Sequence, residues 1–136
     1  MNTHLHSDHC GGNAALAKQF DCEIWIPEAE ALAVQNWNEE LLSFQELGQE
    51  CPRFAHRGLL VPGEEIVLGS YRWQILAAPG HDNHSIMLYQ EQHQILISAD
   101  ALWEAGFGVI FPELWGEGGF KAVSYTHLTL PTKRIV

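Results

Sequence analysis

Six residues near the start of the chain, His4-Leu5-His6-Ser7-Asp8-His9, bring three imidazoles and a carboxylate into one short run. In an extended segment alternate side chains share a face, so His4 and His6 point the same way and could grip one ion. Asp8 and His9 stand where the chain turns toward Gly11, and that turn would direct them to a second ion nearby. Imidazole nitrogen and carboxylate oxygen are typical zinc donors, and an open coordination position would hold water. The plain alternative is a chance cluster of solvated side chains on a loop. The Leu, Ser and Asp between the histidines distinguish the run from a purification tag.

Two later segments carry related chemistry. In Ala78-Pro79-Gly80-His81-Asp82-Asn83-His84-Ser85, Pro-Gly makes a tight turn after a strand and places His81 on a strand-end loop, where ligands commonly sit. In Leu96-Ile97-Ser98-Ala99-Asp100 an apolar strand ends in a lone carboxylate, which needs a partner if buried, and a metal ion is one. Each has a structural reading as well: His81 as a turn residue, and Asp100 as the N-cap of a helix over Ala101-Leu102-Trp103.

The elements that must position these residues can be read from periodicity and breakers. Gly11-Gly12-Asn13 opens a helix through Phe20, with Ala14, Leu16, Ala17 and Phe20 on its apolar stripe. Cys22 to Ile26 reads as a strand closed by Pro27, and a second helix starts near Pro27 and includes Ala29, Leu32 and Ala33. Residues 36–57 are ambiguous; Leu41, Leu42, Phe44 and Leu47 suit a short helix ended by Gly48, and the region could also form a lid. Strands are predicted at 65–68 and 71–77 around Gly69-Ser70, then at 85–89 and 94–98 around the polar turn 90–93. Residues 104–119 read mostly as loop. Helix, strand, helix, then a run of strands predicts an α/β layered fold.

Composition bounds the function. The 136 residues suit one domain, and 46% hydrophobic with 18% charged residues is ordinary globular composition. A formal charge of −10 argues against nucleic acid as a partner, because a phosphate-backbone binder needs a basic patch. All 17 acidic residues lie between Asp8 and Glu117, whereas three of the 7 basic ones (Lys121, Lys133 and Arg134) fall after residue 120. So abrupt a shift marks a boundary. Three cysteines without paired spacing suggest no disulfide framework, and no apolar run has the length of a membrane helix. Together these features predict a reduced, cytoplasmic chain without a membrane partner.

Taken together, His4, His6, Asp8 and His9, then His81, then Asp100, resemble the metallo-β-lactamase superfamily of metal-dependent hydrolases, over roughly residues 2–120. The resemblance implies an α/β fold, here a partial αββα sandwich with a dinuclear site at the edge of its two sheets. It implies that His4, His6 and His81 bind the first metal, that Asp8 and His9 bind the second, and that Asp100 bridges both. Histidine at position 6 resembles the hydrolase branch, where the oxidoreductase branch has a glutamate. His84 is expected beside the ligands or in packing, and His56, His93 and His127 on the surface. Cys10 could offer a thiolate, but the family pattern does not use this position, and a small buried residue at a helix start is the expectation.

The sequence departs from the family at both ends. Members carry a β-rich segment before the histidine run and a last histidine ligand in a Pro-Gly-His-Gly setting after the bridging aspartate. Here Met1 stands three positions before His4, and the only later histidine, His127, lacks that setting. The expected organisation is therefore a partial metallo-β-lactamase-like domain over 1–122, truncated at both ends, and a non-native or disordered tail over 123–136.

The implied function is a zinc-dependent hydrolase, with two ions in an intact member and one ion or iron as variants. A metal-bridging hydroxide would attack a small ester, thioester, lactone or lactam. The metals would stabilise the oxyanion and leaving group, and Asp8 would orient the nucleophile and pass a proton. Trp103, Phe107, Phe111 and Trp115 could line an apolar pocket for a small-molecule substrate or simply pack under a loop. Two rivals remain: a mononuclear iron persulfide dioxygenase of the same fold, and an inactive metal-binding fragment.

Overall fold

In the computed structural model, residues 1–103, 108–112, 118–129 and 134–135 are described. They divide into two compact units, Met1–Leu60 and Val61–Val136. The architecture is mixed α/β, as predicted.

The first unit begins with an extended segment that enters a one-turn helix, α1 (Ser7–Cys10), followed by α2 (Asn13–Phe20). Strand β1 (Trp25–Pro27) leads through a 3-10 turn at Glu28–Glu30 into α3 (Ala31–Asn36). Strand β2 (Gly58–Leu60) closes the unit and pairs with β1 in parallel, Trp25 opposite Gly58. A side chain at position 58 would collide with the Trp25 indole, so glycine lets these two strands meet. Three-residue β2 carries too short a pattern to be read from the sequence.

The core of this unit gathers Leu5, Cys10, Ile24, Ile26, Ala33, Val34, Leu42, Phe44 and Phe54. The stripe expected on α2 divides. Ala14 and Ala17 pack on the core, while Leu16 and Phe20 stay exposed. On α3 the buried residues are Ala33 and Val34, and Leu32 is exposed. The helix expected around Leu41–Leu47 is instead a chain of turns at 39–48, interrupted by Ser43 at φ 58°. Left-handed backbone at a non-glycine residue breaks α-helical continuity. These turns are not a loose flap: Phe44 is 2% exposed, and Trp37 packs on both Phe44 and Phe54.

The second unit is a five-stranded sheet in the order β3 (Glu65–Leu68), β4 (Tyr71–Ala77), β5 (Ile86–Gln90), β6 (Ile95–Ile97), β7 (Arg134–Ile135). The first four strands are antiparallel and β7 runs parallel to β6. Strands 65–68 and 71–77 fall where the sequence placed them, and Gly69 at φ 60° makes the tight connection. β5 lies between two neighbours and buries Ile86, Met87, Leu88 and Gln90.

Helix α4 (Gly118–Thr129) runs across the boundary expected at 122/123. Val123, just beyond that boundary, is 1% exposed, so residues 123–129 are helical where an irregular tail was expected. Its side chain lies where a Cβ on Gly80 would fall. Much of the loop expected at 104–119, with Phe107 and Trp115, and the side chain of His127 lie outside the described residues.

The buried turns at 39–48 yield a first prediction. Phe44→Ala should destabilise the chain by about 3–5 kcal/mol in urea unfolding, the cost of an aromatic cavity. A flap residue would change stability by less than about 0.5 kcal/mol.

Candidate metal centre

The first cluster is built inside the Met1–Leu60 unit. His4 and His6 flank Leu5, whose side chain enters the core. Their imidazoles are 1% and 4% exposed, with ring centroids 4.8 Å apart and nearly perpendicular planes. The shared face expected from alternation is therefore present. Helix α1 then turns the chain back, with His9 N–H and Cys10 N–H both donating to the His6 carbonyl. That turn sets the His9 ring at 4.1 Å from the His4 ring. Asp8 Oδ2 lies 3.6 Å from His9 Nε2 and is largely exposed, the one carboxylate of the cluster open to solvent. His4, His6, Asp8 and His9 thus come together locally.

Residues that the sequence reading passed over hold this turn in place. Buried Asn2 donates from its side-chain amide to the His9 carbonyl at 2.8 Å and accepts from the Asn13 amide at 2.8 Å, while its backbone N–H donates to the Trp25 carbonyl. One residue thus joins the entry segment, the end of α1, the start of α2 and the start of β1. Ser7 N–H, at the first turn of α1, donates to Gln49 Oε1 at 2.9 Å. Buried amides must find partners, and here they do so by fixing the ligand-bearing backbone. Two asparagines around a histidine run could have drawn attention, but nothing in their spacing forecast that they pair.

Cys10 is fully buried and its thiol donates to the Leu5 carbonyl at 3.3 Å. Burial, then the neighbouring Cys51 sulfur, push its pKa well above the usual thiol range. It is a neutral core thiol, as expected, rather than a ready thiolate.

The second cluster lies inside the Val61–Val136 unit. Pairing of Ala77 with Ile86 and of Leu88 with Ile97 puts the loop after β4 and the turn after β6 at one end of the sheet. The loop is closed by Ala78 N–H donating to the Ser85 carbonyl, and tightened by His84 N–H donating to Asp82 Oδ1 at 2.6 Å. Gly80 has φ 143°, a conformation that L side chains rarely adopt, and delivers His81, which is 4% exposed. His81 Nδ1–H donates to the Val109 carbonyl at 2.6 Å, and its ring packs on Phe111 at 5.5 Å. With Nδ1 turned to that carbonyl, Nε2 faces Asp100 Oδ2 at 3.4 Å.

Asp100 is not a helix N-cap. It sits within the 3-10 turn Ala99–Ala101, with Leu102 already extended beyond it. Ala99 holds φ 42°, and Ser98 Oγ–H donates to the Leu102 carbonyl at 2.9 Å. A strained residue beside a half-buried carboxylate is a device that recurs at functional sites. A ring nitrogen and a carboxylate oxygen at this distance can share a proton or both donate to one metal ion. The donor set of both clusters, imidazoles with carboxylates, suits a borderline divalent ion such as zinc.

Of the other histidines, His84 is half-buried beside Asp82, and His93 is exposed with its ring against Tyr71 at 5.1 Å. Trp103 is 43% exposed. Of the described aromatics expected to line a pocket, Phe111 packs against His81.

A model of the family described as the metallo-beta-lactamase superfamily matches residues 1–132, and the chain belongs to that family. Members of this superfamily bind metal ions. Among curated relatives, the hydroxyacylglutathione hydrolase of Rhizobium etli is 28% identical over 111 residues, covering 82% of this chain and 36% of that protein. The hydroxyacylglutathione hydrolase of Bdellovibrio bacteriovorus is 26% identical over 119 residues, covering 85% and 39%. The chain thus spans little more than a third of the length of these relatives. Among solved structures, the B3 metallo-beta-lactamase BLEG-1 superposes with a TM-score of 0.69 at 21% identity, covering 95% of this chain and 62% of that one. A class B3 di-zinc metallo-beta-lactamase from an Alaskan soil metagenome gives 0.67 at 20% identity, covering 98% and 54%. These likenesses establish the metallo-β-lactamase fold. Among the described residues, no helix is long and apolar enough to cross a membrane.

The asparagine pair yields a prediction. Asn13→Ala leaves Asn2 Oδ1 buried without its donor and should cost about 1–3 kcal/mol in chemical denaturation. Asn13→Asp should be no better, because it removes the same donor.

Proposed function

We propose that the chain is the metal-binding part of a zinc-dependent hydrolase acting on a small thioester or ester. In this reading His4, His6 and His81 would hold one ion, Asp8 and His9 a second, and Asp100 would serve as a further ligand. The observation that carries this reading is the close setting of buried imidazoles, His4 against His6 with the His9 ring 4.1 Å from His4, together with His81 3.4 Å from Asp100. Support comes also from family membership and from relatives that are hydroxyacylglutathione hydrolases.

When bound, the ions would supply Lewis acidity toward the substrate carbonyl and a water acidic enough to ionise near neutral pH. The chain's own groups do the rest. The Val109 carbonyl holds His81 in the tautomer that presents Nε2. Asp8 is the carboxylate with solvent access, and serves as the catalytic group that orients water and passes its proton outward. Phe111 shields one side of His81. The substrate is a small molecule, and the acidic balance disfavours nucleic acid.

The test is zinc stoichiometry by elemental analysis, with thiol release from a hydroxyacylglutathione thioester followed in parallel. Two zinc ions per chain and measurable thiol release are expected. His81→Ala should weaken zinc binding at least about a hundredfold, and Asp8→Asn should lower turnover far more than it lowers zinc content. Two bound zinc ions without thiol release would sink the thioesterase reading. Less than one equivalent, unchanged by His81→Ala, would sink the metal centre itself.

A further inference from the structure

Two of the chain's three cysteines form a pair that has no part in that chemistry. Cys10 on α1 and Cys51, 41 positions later, hold their sulfur atoms 3.6 Å apart within the same unit. Cys10 is 0% exposed and fixed by the Leu5 carbonyl, while Cys51 is half-buried on an irregular segment, its thiol beside the Pro52 carbonyl. A second contact joins the same two stretches of chain, the Ser7 N–H to Gln49 Oε1 bond at 2.9 Å. The thiols are therefore not passing neighbours on mobile loops. Closing them to a disulfide needs about 1.5 Å of approach, and the segment after Gln49, outside any helix or strand, can supply it.

We propose that Cys10 and Cys51 are a redox-modification site: a small-molecule disulfide such as oxidised glutathione converts them to an intramolecular disulfide that ties the Gln49–Cys51 segment to α1, beside Asp8 and His9. Exchange begins at Cys51, the accessible sulfur. Its thiolate attacks the oxidant, forming a mixed disulfide and releasing one glutathione thiolate, which takes up the proton Cys51 lost. The Cys10 sulfur, already held 3.6 Å from Cys51, then displaces the second glutathione, its proton passing to the departing glutathione sulfur as the new bond forms. Two protein thiols are oxidised, one glutathione disulfide is reduced to two thiols, and a thiol reductant reverses the exchange. The inference stands apart from the metal reading, since it needs neither ion nor substrate.

The test is incubation of the folded chain, for hours at neutral pH, with oxidised glutathione, followed by mass mapping of non-reduced peptides. A Cys22→Ser background removes the exposed third thiol. The expected product is lighter by two hydrogens and carries a 10–51 link. Thermal unfolding should rise by roughly ten degrees, because a closed loop of this length strongly constrains the unfolded chain. Cys10→Ser in the same background should instead retain glutathione on Cys51, and Cys51→Ser should leave Cys10 unmodified. A stable glutathione adduct on Cys51 with Cys10 still reduced would overturn the proposal. So would a wild-type chain giving 10–22, 22–51 and 10–51 links in equal yield, the mark of pairing in the unfolded state.

Discussion

Burying an imidazole without losing its polar partners is the constraint on which both units depend. His4, His6 and His81 are all nearly inaccessible to water, and each has nitrogen atoms that would be costly to desolvate at random. Each ring is therefore set by backbone held on several sides. In the first unit the setting is a one-turn helix whose ends are tied by Asn2, Asn13 and Gln49. In the second it is sheet register, with the Val109 carbonyl selecting the tautomer of His81. Both solutions use the backbone as the template and let the side chains follow.

The glycines and the strained alanine belong to the same argument. Gly80 is required twice, for its φ and for the space occupied by Val123. Ala99 accepts a left-handed backbone immediately before Asp100. A bulkier or β-branched residue at either place would move the side chain that follows. These positions trade local stability for the direction of one side chain, a trade found where geometry matters more than propensity.

Much of this was legible in the sequence, for reasons that differ by element. His4 and His6 were readable because a period of two is a strict geometric rule in extended chain. Strands 65–68 and 71–77 were readable because alternating patterns flank a Gly-Ser turn. The turns at 39–48 were misread because Leu41, Leu42, Phe44 and Leu47 have helical spacing, while the departure rests on the backbone of Ser43, which no pattern announces. The amphipathic stripe on α2 failed for a related reason: packing selected Ala14 and Ala17 and left Leu16 and Phe20 outside. Asn2 and Gln49 were invisible because a polar residue that holds backbone looks like any other until its partner is known.

The two clusters also differ in what holds them, and this bears on how the chain would lose its chemistry. The His4–His9 cluster hangs on side-chain hydrogen bonds from Asn2 and Gln49, each worth about 1 kcal/mol net but costly if one partner is lost. The His81–Asp100 pair hangs on the β4–β5–β6 ladder, where many backbone bonds share the load. Local opening proceeds first where few bonds must break. The histidine run should thus loosen before the sheet-borne pair does, and Asp8, its only exposed carboxylate, sits on the part that loosens. A chain of this design keeps His81 and Asp100 on its more rigid part and the exposed Asp8 on the segment free to adjust.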